Sequence, residues 1–125
     1  MAMKLMWLAL AGSLGTLCRY GLSGLMQRLT GSLFPWGTIS VNIIGCLLFG
    51  LVWSVLEERV HLSSEMRVII LTGFMGAFTT FSTFMFETGQ LLKESQYLLA
   101  LGNVGLQNIV GLAALFLGLL LGRLL

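Results

Sequence analysis

The sequence predicts an all-α membrane protein with four transmembrane helices in a single domain, residues 1–125. Three observations lead to this fold class: 57% of the residues are hydrophobic, only 10% are charged, and the mean hydropathy is +0.95. Soluble domains carry about 25% charged residues, and a small globule with so few charges lacks the polar surface that keeps it dissolved. The composition therefore excludes a soluble enzyme and a disordered chain.

Four apolar runs have the roughly 20 residues that a membrane helix needs, and they cover residues 5–25, 36–56, 66–92 and 98–124. The connections between them contain most of the charge and the only proline. The first run resembles a signal peptide, but it is too long and lacks a clear cleavage site, so we interpret it as a retained span. Aromatic residues typical of the headgroup region lie near the span ends: Trp7, Trp36, Trp53 and Tyr97.

The positive and negative charges are nearly balanced in number, with seven Lys and Arg against five Asp and Glu. This small excess does not form a phosphate-binding surface, so we expect a lipid bilayer and no nucleic acid as partner. Sixteen glycines favour close helix packing and self-association. Because the cations are nearly balanced across the membrane, we hypothesise insertion in both orientations and antiparallel pairing of two copies. One side holds Lys4, Arg59, Arg67 and Arg123, and the other holds Arg19, Arg28 and Lys93.

The third run is a poor continuous helix between residues 72 and 84, where two glycines are mixed with hydroxyl residues and four phenylalanines. Gly costs about 1 kcal/mol relative to Ala within a helix, and Ser and Thr side chains offer the backbone other partners. A break here is tolerable only where the freed carbonyls face protein, water or an ion, and broken helices recur as ion sites. We therefore predict a third helix broken at mid-membrane. The alternative is a glycine-kinked packing helix.

Phe81 and Phe84 are three residues apart and share one helical face, and Phe78 has the same relation to Phe81. The positive edges of such rings can coordinate a small anion weakly without carrying a full charge. Phenylalanines at this spacing are otherwise typical of a packed core. The neighbouring Thr and Ser residues favour the ion pathway here.

Polar side chains inside the predicted spans are candidate functional groups. Asn42 and Asn103 can each donate two hydrogen bonds from the amide. Thr38 lies four residues before Asn42, and Gln107 lies four residues after Asn103. These pairs can line one polar track, or they can simply link helices.

Arg19 and Glu87 lie towards the ends of their spans. The Arg19 side chain can extend to the interface or draw anions towards a vestibule, and the sequence favours neither interpretation over the other. Glu87 is expected in a vestibule rather than as a buried acid.

Three segments closely resemble motifs of the Fluc (CrcB) fluoride-channel family. Residues 73–84 (GFMGAFTTFSTF) resemble its signature, residues 37–45 (GTISVNIIG) its second-helix motif, and residues 15–20 (GTLCRY) its first. Length and the four spans also match, so the resemblance covers essentially the whole chain.

The resemblance implies an antiparallel, dual-topology homodimer in a bacterial-type cytoplasmic (inner) membrane. It further implies two pores that export fluoride passively, and a structural sodium ion at the dimer centre as cofactor. Gly76 and Thr79 would give backbone carbonyls to sodium. Gln107 departs from the family pattern. The implied fluoride pathway consists of ring edges from Phe81 and Phe84, an amide donor from Asn42, a fourth-helix position at Asn103, and hydroxyls from Ser82, Thr83 and Thr38.

Two other protein classes compete with a channel. A small dual-topology coupled transporter, of the drug/proton antiporter kind, would need a carboxylate deep in the membrane, and Glu87 is the only candidate. A packing-only interaction protein would not need the break. An enzyme is the class that the sequence favours least, because it shows no nucleophile and base set and no metal-ligand cluster, and we expect no enzymatic activity.

Overall fold

The computed structural model describes residues 1–58, 60 and 62–125, and the described chain consists of helices and their connections. Arg59, counted above among the cations, lies outside the described residues. The helices are α1 (Ala2–Thr30), α2 (Trp36–Glu58), α3 (residues 64–78), α4 (Phe81–Lys93) and α5 (Tyr97–Leu124). The structure therefore confirms the all-α class and the four helical regions, the third of which comprises α3 and α4.

Three of these regions are long and apolar enough to cross a membrane: α2, the segment Ser64–Lys93 that comprises α3 and α4, and α5. Helix α1 has 29 residues but does not meet the same standard of hydropathy. Its glycines, hydroxyl residues and Arg19 dilute its apolar side chains. That α1 is a membrane span stays a prediction.

The end of α1 is tied to the start of α2 by one side chain. The Gln27 amide donates to the Ser32 carbonyl at 2.6 Å, and its oxygen accepts from the Gly37 N–H at 3.2 Å. The helix ends at Gly31, whose φ of 57° is the left-handed conformation that glycine adopts without strain. The turn therefore holds the two helices as antiparallel neighbours.

Helices α2 and α5 pack closely enough to require glycine. A Cβ added at Gly50 would meet the Leu115 carbonyl, and one added at Gly118 would meet the Leu47 carbonyl. The backbones therefore approach each other as they do in membrane proteins with small residues at the interface. Helix α1 packs on α3, and α4 packs on the first half of α5.

The helix of the third region is interrupted at two residues. Thr79 (φ −82°, ψ 159°) and Thr80 (φ −148°, ψ 110°) have extended backbone between α3 and α4. The expectation that Phe78 and Phe81 share a helical face is therefore wrong, because they lie on different helices. Phe78 is 4% exposed and stacks on Phe74, whereas Phe81 is 72% exposed.

Candidate functional site

The extended residues between α3 and α4 are held by Asn42 of α2. The Thr80 N–H donates to Asn42 Oδ1 at 2.8 Å, and Asn42 Nδ2 donates to the Thr80 carbonyl at 3.1 Å. This pair of bonds imitates the pairing of two peptide groups, so both the N–H and the carbonyl of Thr80 are satisfied within the protein. Asn42, singled out from the sequence as a donor, is thus also the residue that stabilises the interruption.

From Asn42, a row of side chains that we term the amide chain runs along α5 to α4. Asn42 Nδ2 donates to Gln107 Oε1 at 2.6 Å, and Gln107 Nε2 donates to Asn103 Oδ1 at 2.9 Å. Asn103 Nδ2 donates to the Thr88 hydroxyl at 2.9 Å, which donates to the Phe84 carbonyl at 2.8 Å. Asn103 is fully buried. The amide chain therefore links the residue at the interruption to the second turn of α4.

A cavity of about 290 Å³ opens between α2, α4 and α5, and we term it the ring cavity. Its lining includes Asn42, Thr79, Thr80, Gln107 and both predicted ring-edge residues, Phe81 and Phe84. The two rings meet edge to face, with centroids 5.8 Å apart and planes at 61°. No charged side chain is among the described residues that line it. The polar groups that an ion would meet there include amides and hydroxyls, beside the aromatic rings.

A second cavity, of about 440 Å³, lies between α1, α2 and α4, and we term it the Arg19 cavity because Arg19 is among the residues that line it. Thr38, Thr80 and Thr83 line it together with Arg19. The Thr80 hydroxyl donates to the Thr83 hydroxyl at 2.8 Å and accepts from its N–H at 3.3 Å, which caps α4. The two cavities therefore share Thr80 as a common wall.

Thr38 does not join the amide chain, although the sequence placed it on one face with Asn42. Its hydroxyl donates to Glu87 Oε1 at 2.7 Å. Both residues also line a third cavity, of about 250 Å³, with Gln27, Gln90 and Glu94. Thr38 thus lines both the second and the third cavity, Glu87 lines the third, and neither residue lines the ring cavity.

The predicted carbonyl donors, Gly76 and Thr79, lie at the C-terminal end of α3. In a continuous helix the Thr80 N–H would donate to the Gly76 carbonyl, four residues back, but here it donates to Asn42. The Thr79 N–H and hydroxyl both donate to the Met75 carbonyl, at 3.1 and 3.2 Å. Gly76 is exposed on the single chain. This end of α3 carries the partial negative charge of a helix C-terminus.

Ser82 is not brought to the other predicted residues. It is exposed on α4 and is absent from the lining of the three cavities described above. Sequence reasoning did not identify Thr88 as a site residue, and it did not decide whether Gln107 belongs to the polar track. The available signals were the spacing of Thr88, four residues after Phe84 and thus able to bond its carbonyl, and the four-residue spacing of Gln107 from Asn103.

Comparison with known proteins gives concordant matches over nearly the whole chain. A family model described as "CrcB-like protein, Camphor Resistance (CrcB)" matches residues 6–119. The protein named Fluoride-specific ion channel FluC of Solidesulfovibrio magneticus is 61% identical over 122 residues, which cover 98% of each chain. Its namesake in Nitrosococcus oceani is 55% identical over 122 residues, again 98% of each. The one in Salinibacter ruber is 46% identical over 116 residues, 93% of this chain and 86% of its own.

Proposed function

The chain belongs to the CrcB family of fluoride channels, and on that premise we propose that it is a fluoride-selective ion channel. It would export fluoride passively across a bacterial-type cytoplasmic membrane and so relieve fluoride toxicity. The observation that carries the proposal is the uncharged ring cavity, where Phe81, Phe84 and Asn42 meet beside the interrupted helix. The family is one of channels, so the expectation that the chain is not an enzyme is confirmed.

The chemistry of the ring cavity supports an anion over a cation. The amide of Asn42 supplies N–H donors, and aromatic rings present positive edges to an anion in their plane. The first turn of α4 adds backbone N–H groups and the positive end of its dipole. Fluoride holds its water strongly, so selectivity requires several donors that replace this water at once. Because each donor is uncharged, the ion is held weakly enough to leave again.

The Arg19 cavity supports a vestibule. A guanidinium is always charged, and its field raises the local concentration of anions at the mouth of a pathway. Thr83 and Thr38 would supply hydroxyls between Arg19 and the interruption, and Glu87 would lie at the vestibule wall. Ser82 and Asn103 would act farther along the pathway, Asn103 through the amide chain.

The C-terminal end of α3 fits the proposed structural sodium ion. Oxygen atoms are the ligands that hard cations prefer, and the Gly76 carbonyl lacks the Thr80 donor that a continuous helix would give it. Gly76 and Thr79 would hold the ion. When bound, sodium would supply a fixed positive charge. Gly76 is exposed on the single chain, which leaves its carbonyl accessible to a second copy.

We propose further that two copies assemble as an antiparallel homodimer of dual topology, with the interruption at mid-membrane. Phe81 is 72% exposed on the single chain although it lies at the site. A second copy would cover this ring and close the pathway on its open side. The near balance of Lys and Arg across the membrane supports insertion in both orientations.

The proposal is tested with purified protein in liposomes loaded with potassium fluoride. A channel carries charge, so fluoride efflux should be slow until valinomycin lets potassium follow, and it should not need a pH gradient. The remaining alternative, a proton-coupled transporter, draws on Glu87, whose Oε2 is buried without a hydrogen-bond partner. Efflux that depends on a pH gradient and not on valinomycin would favour that alternative and contradict the channel.

A further inference from the structure

The orientation of every amide in the amide chain follows from one backbone group. The Thr80 N–H can only donate, so the Asn42 atom that it meets is the oxygen, and Nδ2 is the atom that faces Gln107. Gln107 must then present its oxygen to Asn42, and its nitrogen to Asn103. Asn103 in turn donates to Thr88, whose hydroxyl proton goes to the Phe84 carbonyl. All the donors therefore point in one direction, away from Asn42.

This order leaves Asn42 with no spare N–H. One proton of Nδ2 goes to the Thr80 carbonyl at 3.1 Å and the other to Gln107 Oε1 at 2.6 Å. An anion in the ring cavity can bond Asn42 only by replacing one of these acceptors. The Thr80 carbonyl is fixed, because it belongs to the backbone that Asn42 itself holds. The Gln107 oxygen is the acceptor that can move.

We propose that Gln107 is a resident acceptor that takes the place of the anion on Asn42 and competes with it. When fluoride arrives, Gln107 Oε1 gives up the Asn42 Nδ2 proton; when fluoride leaves, Oε1 returns and the proton is never left unpaired. Gln107 is therefore a positioning residue that weakens anion binding and speeds release. This inference rests on the proposed function and deepens it, since it explains how fluoride is released from Asn42.

Two features of Gln107 suit such an exchange. Its side chain turns about three single bonds and is only half-buried, so the oxygen can swing into the ring cavity that it lines. It also lies in Leu106–Val110, a π-helical turn within α5, and such turns are frequent at functional sites. The bond from Nε2 to Asn103 can persist while the oxygen moves, which keeps the cost of the exchange small.

The test measures fluoride efflux from liposomes against fluoride concentration for the whole protein and for two variants of opposite sense. Gln107→Met removes the competing acceptor at similar length, so the half-saturating fluoride concentration should fall about three- to tenfold, the equivalent of one net hydrogen bond. Gln107→Glu keeps an acceptor and adds negative charge, so this concentration should rise. Gln96→Met is the matched control, since Gln96 is exposed in the connection between α4 and α5 and lines none of the three cavities described above; its half-saturating concentration should equal that of the unaltered protein.

The outcomes separate this inference from the function on which it rests. Absence of fluoride efflux from the unaltered protein overturns both. Normal efflux with an unchanged or raised half-saturating concentration in Gln107→Met overturns only the resident acceptor. If Gln107→Met does not insert, Gln107→Ala carries the same expectation. Failure of both to insert, while Gln96→Met inserts, would show a structural role and overturn the inference.

Discussion

At the scale of single residues, Phe81 and Phe84 share the ring cavity but differ in burial. Phe84 is 4% exposed and Phe81 is 72% exposed, so replacing Phe84 disturbs the core as well as the pathway. Phe81→Ile changes the ring alone. We predict that it reduces fluoride efflux to the leak of protein-free liposomes, because no positive ring edge remains. The fold of the single chain should change little, because the Phe81 ring is largely exposed there.

The matched control for Phe81→Ile is Phe86→Ile. Phe86 lies on the same helix and is 65% exposed, but it does not border the ring cavity. Efflux should therefore persist in Phe86→Ile. Normal efflux in Phe81→Ile, measured beside it, would remove Phe81 from the pathway.

A second prediction for single residues concerns the stabilising role of Asn42. Asn42→Ala leaves the Thr80 N–H and carbonyl without their side-chain partner, and Thr80 is buried. Each buried polar group left unpaired costs about 1–3 kcal/mol. We predict a marked fall in the thermal unfolding temperature in detergent and loss of fluoride efflux. Ser40→Ala, also on α2, is the control; equal unfolding temperatures for the two variants would show that Asn42 does not hold the interruption.

The sequence singled out Asn42, Asn103, Phe81 and Phe84 as candidates because polar side chains inside apolar spans are rare. The structure brings Asn42, Phe81 and Phe84 to the ring cavity and links Asn103 to Asn42 through Gln107. It did not predict which partner each would take. Asn42 bonds Thr80, 38 positions later, and Thr38 bonds Glu87 instead of joining the amide chain. Such pairings depend on how the helices pack, and spacing within one helix carries no information about them.

At the scale of elements, the contact of α2 with α5 depends on glycines. We predict that Gly118→Ala lowers the free energy of unfolding by about 1–3 kcal/mol, because the new Cβ would meet the Leu47 carbonyl and force the helices apart. Thermal unfolding in detergent measures this. Gly105→Ala is the control: nothing lies within 4 Å of a Cβ added at this position, so this variant should leave the free energy of unfolding unchanged or raise it slightly. Equal stability of the two variants would mean that the close approach is not needed.

A break in the third helix was predicted between Thr72 and Phe84, because glycines and hydroxyl residues make this segment a poor helix. The extended residues, Thr79 and Thr80, fall inside it. Their position within the segment was not predictable from propensity, since Gly73 and Gly76 remain helical and two threonines do not. The choice follows from Asn42 on α2, which supplies the substitute partner at Thr80, and from the Thr80 hydroxyl that caps α4.

At the scale of the whole molecule, the nearly balanced cations predict two orientations in one membrane. On a background without Cys18 and Cys46, Ser95→Cys in the exposed connection between α4 and α5 should react in about half of the copies with an impermeant thiol reagent added outside cells. Glu65→Cys, near the start of α3, should give the complementary half. Complete labelling of one site with no labelling of the other would show a single topology and exclude the antiparallel pair.

The membrane class was predictable from composition alone, since so few charges cannot cover a soluble surface. The antiparallel assembly was predictable only as a hypothesis, because it depends on a second copy whose contacts no single-chain pattern specifies. Phe81 and Gly76 are the site residues through which a second copy could contribute, because both are exposed on the single chain.

The central claim is that uncharged donors in one small cavity pass fluoride and reject larger anions. Parallel efflux of fluoride and chloride, from liposomes that contain only the purified chain, tests it most directly. The account predicts rapid fluoride efflux with chloride efflux no faster than from empty liposomes. Equal rates for the two anions, or no fluoride efflux at all, would contradict it.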